Sequence, residues 1–256
     1  MNFNAPQGIA QSVIEKVGVG KCKLSIMQMI VLGILAGAFI AFGAQLATRV
    51  MANVVDPGLQ MVLGGAVFSV GLMLVVIAGA ELFTGNNLIF MSVLAGETTV
   101  GKMLTNWVVV WIANFIGSLL IAWLMVQSGL VSGVIADKAV SIASMKAGLP
   151  FWQAFVRGIM CNWLVCLAVW LAIAAHDIPG KILGIFMPIM AFVASGFEHS
   201  IANMYFIPVG MMVKPGEITQ AGLWNNLTAA TLGNIVGGAF FVATLYWFVY
   251  HKCNKK

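Results

Sequence analysis

No charged side chain interrupts the chain from Ile26 to Thr48, and none from Leu104 to Val126. As helices, runs of that length cross a hydrocarbon core of about 30 Å. A fold in water has no place for several such runs, because each would be apolar all round. The composition agrees. Charged residues make up 8% of the chain and hydrophobic ones 61%, where a soluble domain carries roughly 25% charged residues. The chain therefore reads as an all-α integral membrane protein whose solvent is the lipid bilayer. The first run is too long for a signal peptide and no small-residue cleavage site follows it, so it reads as a retained span.

The net charge of +5 belongs to this membrane setting and points away from nucleic acid. Lys16, Lys21 and Lys23 precede the first span, and Lys252, Lys255 and Lys256 follow the last. With an even number of spans both termini share one side, and these lysines make it the cytoplasmic side. Arg49, Lys138, Lys146 and Lys214 fall on the other. Ile9, Val13 and Val17 share a helical face between Pro6 and Val17, which suggests a short amphipathic helix on the membrane surface; a frayed terminus is the bland alternative. Residues 1–25 are thus a cytoplasmic N-terminal segment, 26–250 the transmembrane part and 251–256 a cytoplasmic tail. Cys22, Cys161, Cys166 and Cys253 show neither zinc spacing nor a secreted disulfide framework, and read as free thiols. No cofactor or metal is implied.

Spans are expected at about 26–50, 60–92, 103–127, 150–175, 181–213 and 222–250, punctuated by Pro57-Gly58, Gly96-Glu97, Leu149-Pro150, Pro179-Gly180 and Pro215-Gly216. The second and fifth are too long and carry polar residues at mid-depth. Laid on one another at a single offset, Gly79 meets Gly196, Glu81 meets Glu198 and Asn86 meets Asn203. The third and sixth match through Asn106 with Asn226, Asn114 with Asn234 and Gly117 with Gly237; the first and fourth match through Gln28 with Gln153 and Gly33 with Gly158. Three spans separate the copies, and an odd number of crossings reverses direction. The chain is therefore expected to be two inverted three-helix repeats, 26–127 and 150–250, with the second and fifth helices broken. Unwound backbone is tolerated at membrane depth where it is buried or lines a polar cavity, and half-helix N-termini direct free N–H groups at the cavity's occupant. That plan favours a pathway for a small polar or anionic solute over a pair of packing kinks.

An intramembrane carboxylate costs roughly 3 kcal/mol on insertion scales. Glu81 and Glu198 are read as accepting hydrogen bonds from backbone N–H groups freed by the breaks, with Asn86 and Asn203 satisfying the same loops; direct cation binding is the rival role. His199 stands where the first copy has Leu82, a departure that singles it out. A histidine titrates at about 6.5 in water and can exchange a proton with a passing weak acid, although a satisfied core histidine is the plainer reading. Thr84, in the opposite break, can hydrogen-bond the solute or the imidazole. Leu72, Leu82, Phe68, Phe192 and Phe197 are either lipid- and core-facing or form dry constrictions. Asn162 and Arg157 are further polar candidates, Arg157 equally one that snorkels to the surface. Lys146 and Lys214, taken as loop charges, raise the anion concentration at the mouth or are simply solvated.

Glu81-Leu82-Phe83-Thr84-Gly85, Cys161-Asn162-Trp163-Leu164-Val165-Cys166-Leu167-Ala168 and Ala194-Ser195-Gly196-Phe197-Glu198-His199-Ser200-Ile201-Ala202-Asn203-Met204 resemble the formate/nitrite transporter family, over nearly the whole chain. The resemblance implies a homopentamer in the inner membrane with an aquaporin-like fold and one pore per protomer. Within it His199 matches a central histidine and Thr84 the threonine facing it. Leu82 and Phe192 match a constriction on the cytoplasmic side of the centre, Phe68 and Leu72 the outer one. Asn162 and Lys146 match polar positions of the vestibule and pore; Arg157 has no matching role. The expected activity is passage of small weak-acid anions, hydrosulfide first, then nitrite or formate. A pore for water or small neutral solutes shares the plan but would be expected to carry an Asn-Pro-Ala motif, which is absent. An enzyme would need a nucleophile–base pair or metal cluster, and Glu198-His199 is the only neighbouring pair at depth.

Overall fold

The computed structural model describes residues 3–253; Lys255 and Lys256 of the terminal basic cluster lie outside them. Among the described residues no strand forms beyond an isolated antiparallel bridge between Phe3 and Ala175. Helix starts sit where short polar side chains take up orphan N–H groups. Ser25 and Gln28 form a reciprocal capping box ahead of Ile26–Ala52. Asp56 caps Pro57–Gly79 by accepting from Leu59 N at 2.8 Å, and Asp177 caps Ile178–Ala194 by accepting from Gly180 N at 2.7 Å.

We number the helices α1 (Pro6–Ser12), α2 (Ile26–Ala52), α3 (Pro57–Gly79), α4 (Phe83–Leu94), α5 (Val100–Gln127), α6 (Gly133–Ala147), α7 (Phe151–Ala174), α8 (Ile178–Ala194), α9 (Ser200–Val213) and α10 (Gln220–Lys252). Among the described residues α2, α3, α5, α7 and α10 are long and apolar enough to cross a membrane, while α4, α8 and α9 are shorter apolar helices. Val108, Ile112, Ile116 and Leu120 stand exposed along one face of α5, where a helix in water would present polar groups.

The expected second segment, 60–92, is α3 and α4 with extended backbone between them; the fifth, 181–213, is α8 and α9. Gly79 (φ +89°) and Gly196 (φ +71°) occupy the left-handed region at the two breaks, a conformation that a side chain disfavours. Ahead of the first break the last turn of α3 widens, Ala80 N bonding Val75 O at 2.9 Å. α2 packs along α5 and α7 along α10, the pairings of first with third and fourth with sixth that the repeat requires.

Two features differ from the sequence reading. The stretch between the repeats, read as an outer loop, is the helix α6 packed on α9. Its pattern is weak because apolar residues lie off its buried face too: Ala139, Val140, Ile142 and Ala143 are buried, while Val134 and Met145 stand exposed. At the N-terminus the apolar face expected on the membrane surface is covered by protein. Ile9, Ala10, Val13 and Ile14 are buried with Leu88, Met91, Trp170 and Val242.

Close approach between helices makes one prediction. A Cβ at Gly117 would overlap the Ile34 carbonyl, and one at its counterpart Gly237 would overlap the Ile159 carbonyl. Gly117→Ala should cost about 1–3 kcal/mol of stability, read as a lowered Tm in detergent. Gly101→Ala, on the same helix with nothing within 4 Å of the added carbon, should be neutral or slightly stabilising. Equal Tm values for the two variants would show that α2 and α5 do not meet this closely.

Candidate functional site

The breaks between α3 and α4 and between α8 and α9 are held by two copies of one network. Glu81 pairs with Lys21 at 2.7 Å and accepts from Asn86 Nδ2 at 2.7 Å; Asn86 Nδ2 also donates to Asn106 Oδ1 at 2.8 Å. In the other copy Glu198 pairs with Lys146 at 2.9 Å and accepts from Asn203 Nδ2 at 2.6 Å, which also donates to Asn226 Oδ1 at 2.7 Å. Asn106 and Asn226 donate in turn to the carbonyls of Lys21 and Lys146. The freed backbone groups go elsewhere. Asn114 Oδ1 accepts from Phe83 N at 3.0 Å, and its Nδ2 reaches the carbonyls of Gly33 and Glu81. Asn234 does the same for Ser200 N at 2.9 Å and for the carbonyls of Gly158 and Glu198.

Between the breaks lies the pair His199 and Thr84, both buried, with Nε2 and Oγ1 3.0 Å apart. Ala202 N donates to His199 Nδ1 at 3.1 Å, so the ring caps α9. A backbone N–H can only donate, so Nδ1 is a lone-pair acceptor. The ring is then the neutral tautomer with its proton on Nε2, directed at Thr84 Oγ1. Phe192 stacks on the imidazole at 5.8 Å between centroids; Phe68 meets Phe192 edge-on at 5.7 Å and stacks on Phe206 at 6.4 Å.

Two cavities approach this centre. The larger, about 630 Å³, is lined by Lys21, Lys181, Leu72, Glu81 and Leu82, with Asn4 of the N-terminal segment. The smaller, about 320 Å³, is lined by Lys138, Lys146 and Arg157 together with Phe68, Phe192 and His199. Lysines border both, Leu72 and Leu82 share the wall of the larger, and Phe68 and Phe192 share the wall of the smaller with His199 itself.

Residues 8–248, nearly the whole chain, match the family described as formate/nitrite transporter. The chain belongs to that family. Membership makes it a multi-pass membrane transporter, not an enzyme. A relative from Methanothermobacter thermautotrophicus described as a probable formate transporter is 46% identical, over 98% of this chain and 98% of its own. Among solved structures, one described as an FNT family ion channel matches with TM-score 0.88 and 33% identity, covering 94% of this chain and 98% of its own. Another, described as a pentameric formate channel with formate bound, matches with TM-score 0.77 and 35% identity, covering 88% and 97%.

On this family member the side chains singled out in the sequence fall into three groups. His199 and Thr84 are brought together. Leu72, Leu82, Phe68 and Phe192 all reach cavity walls, but in other pairs than expected: Leu72 with Leu82 on the larger cavity, Phe68 with Phe192 on the smaller. Glu81 and Glu198 take lysine and asparagine side chains, and the freed N–H groups are served by Asn114 and Asn234, which corrects the expected carboxylate role. Lys146 is no loop charge. It sits on α6, paired with Glu198 and 5.5 Å above the Phe206 ring. Asn162 lines neither of the two cavities; it donates to the carbonyls of Thr84 (3.2 Å) and Asn234 (2.7 Å) and to Asn87 Oδ1 (2.8 Å). Lys214 pairs with Glu217 at 3.5 Å near the surface. Lys21 was missed, although its spacing to Lys146 equals that of Gln28 to Gln153. Phe206 carries no sequence signal of its own.

Proposed function

We infer that this chain forms a membrane channel for small monovalent anions of weak acids, with formate the first substrate to test, then nitrite and hydrosulfide. The observation that carries this is the neutral His199–Thr84 pair, buried between two cavities with basic walls. The formate named in the descriptions of the relatives moves it ahead of the hydrosulfide expected from sequence. The same reading takes the chain to cross the inner membrane six times as two inverted repeats, with broken second and fifth helices and both termini cytoplasmic. It assembles as a homopentamer, as the described pentameric relative does.

The lysines concentrate the anion at each mouth. Leu72 and Leu82 on one side, and Phe68 and Phe192 on the other, strip its water. Desolvation disfavours the charged form and so raises the solute's own pKa. His199 and Thr84 replace part of the lost hydration: Nε2–H donates to Thr84 Oγ1, which frees the hydroxyl hydrogen for the solute. The ring has no second proton to give while Nδ1 caps α9. The proton that neutralises the anion therefore comes from water, and the neutral His199 ring acts as a donor to Thr84, orienting the hydroxyl that meets the solute. The acid crosses uncharged and ionises on the far side.

Uptake into proteoliposomes of formate, nitrite, hydrosulfide and chloride at several pH values tests this. Fast, saturable formate entry that rises as pH falls, with little chloride entry, is expected. Entry of water alone would replace the reading with a neutral-solute pore.

A further inference from the structure

The internal repeat separates lining positions that serve both halves alike from those that do not. Gly79, Glu81 and Asn86 on the larger cavity recur as Gly196, Glu198 and Asn203 on the smaller, and Lys21 recurs as Lys146. Among the lining positions that differ, two replace an apolar residue with a basic one. Leu82 becomes His199, and Leu32 becomes Arg157. The second pair holds one backbone position twice, because Leu32 O accepts from Glu81 N at 3.2 Å and Arg157 O from Glu198 N at 3.4 Å. Since Leu32 fulfils that backbone role, nothing in the fold calls for an arginine.

The arginine is also unspent. In the smaller cavity Lys146 is paired with Glu198, and Lys138 donates to Gln60 Oε1 at 2.7 Å. Glu198 is the only carboxylate on that wall, and Lys146, Asn203 and Asn226 already occupy it. Among the described residues the Arg157 guanidinium has no hydrogen bond, ion pair or ring contact. A half-buried guanidinium presents five N–H donors in a rigid plane, which match two oxygens of one planar anion.

We propose that Arg157 is the oxyanion-receiving residue of the smaller cavity. It grips formate or nitrite through both oxygens ahead of Phe68 and Phe192, and prefers them to the single-atom acceptors hydrosulfide and chloride. The assignment rests on the weak-acid anion reading above and adds a specificity determinant to it. Bidentate contact is what separates the classes, since a one-centre anion meets only one edge of the fork. A lysine at this place keeps the charge and loses the fork.

The test measures influx against anion concentration for formate, nitrite and hydrosulfide, presented from each side of oriented proteoliposomes. Arg157→Leu, which installs the residue of the other repeat, should raise the half-saturation concentration for formate and nitrite about tenfold. For hydrosulfide the change should stay below about twofold, because its single contact is replaced by water. The shift should appear when the anion starts on the side of the smaller cavity. Arg157→Lys, which guards against a folding defect, should retain flux and lose the preference for formate over hydrosulfide. Unmoved half-saturation values, or equal shifts for all three anions, overturn the assignment to Arg157 and leave the anion reading intact. A native chain that passes none of these anions overturns both.

Discussion

Glu198→Leu should leave almost no folded, transport-competent protein, through a loss of about 3–5 kcal/mol. The Glu198–Lys146 pair is nearly dry, with side-chain exposures of 3% and 12%. Removing the carboxylate strands a buried ammonium and two asparagine side chains that donate to Glu198 Oε2, Asn203 and Asn226. An uncompensated buried charge is far costlier than the pair's own net contribution is favourable. The pseudo-equivalent Glu81→Leu should cost less, because Lys21 is 23% exposed and water can take over part of the solvation. The double variant Glu198→Gln with Lys146→Met should recover much of the loss, since it removes both charges and keeps an amide oxygen for Asn203 and Asn226. Yields from membranes and Tm in detergent measure these variants together with the single variants Glu198→Gln and Lys146→Met. Additive losses in the double variant would show that the two charges do not interact in the folded protein.

These ion pairs mark how much of the site can be read along the chain. Apolar run length declares the spans, and the breaks are visible because Gly79–Glu81–Asn86 and Gly196–Glu198–Asn203 repeat at one offset. Periodicity is local, so it reports elements and their duplication. What it leaves out is partner choice. Lys21 meets Glu81 and Lys146 meets Glu198 across segments far apart in the chain, and only the shared spacing of the two lysines hints at it. The grouping of Leu72 with Leu82, and of Phe68 with Phe192, depends on how segments far apart in the chain pack together, which no helical face encodes. α6 was unread because its apolar residues do not keep to one face: Val140 and Ile142 are buried, while Val134 and Met145 are exposed. The N-terminal face was legible as apolar but not as covered, because amphipathicity is the same whether the cover is lipid or protein.

His199→Phe should lower saturating formate flux about 10- to 100-fold, the worth of one hydrogen bond to an anion. Two contacts go with the ring nitrogens: the donor to Thr84 Oγ1 and the acceptor for Ala202 N that caps α9. The lost cap costs about 1 kcal/mol, too little to unfold the chain, so the variant is expected in the membrane with Tm only slightly lowered. His199→Asn separates the ring's roles. An asparagine can cap a helix and donate a hydrogen bond, but it cannot titrate. If the neutral imidazole acts as an oriented donor, this variant should keep flux within a few-fold, with its rise at acidic pH preserved, because the proton arrives from water at a desolvated anion. The sign follows from the solute: lower pH supplies more neutral acid whichever side chain stands at position 199. A variant that conducts well but with a flat pH profile would show instead that the imidazole delivers the proton. The Ala202 N–H would then have to release Nδ1 during each passage, and α9 would uncap once per solute carried.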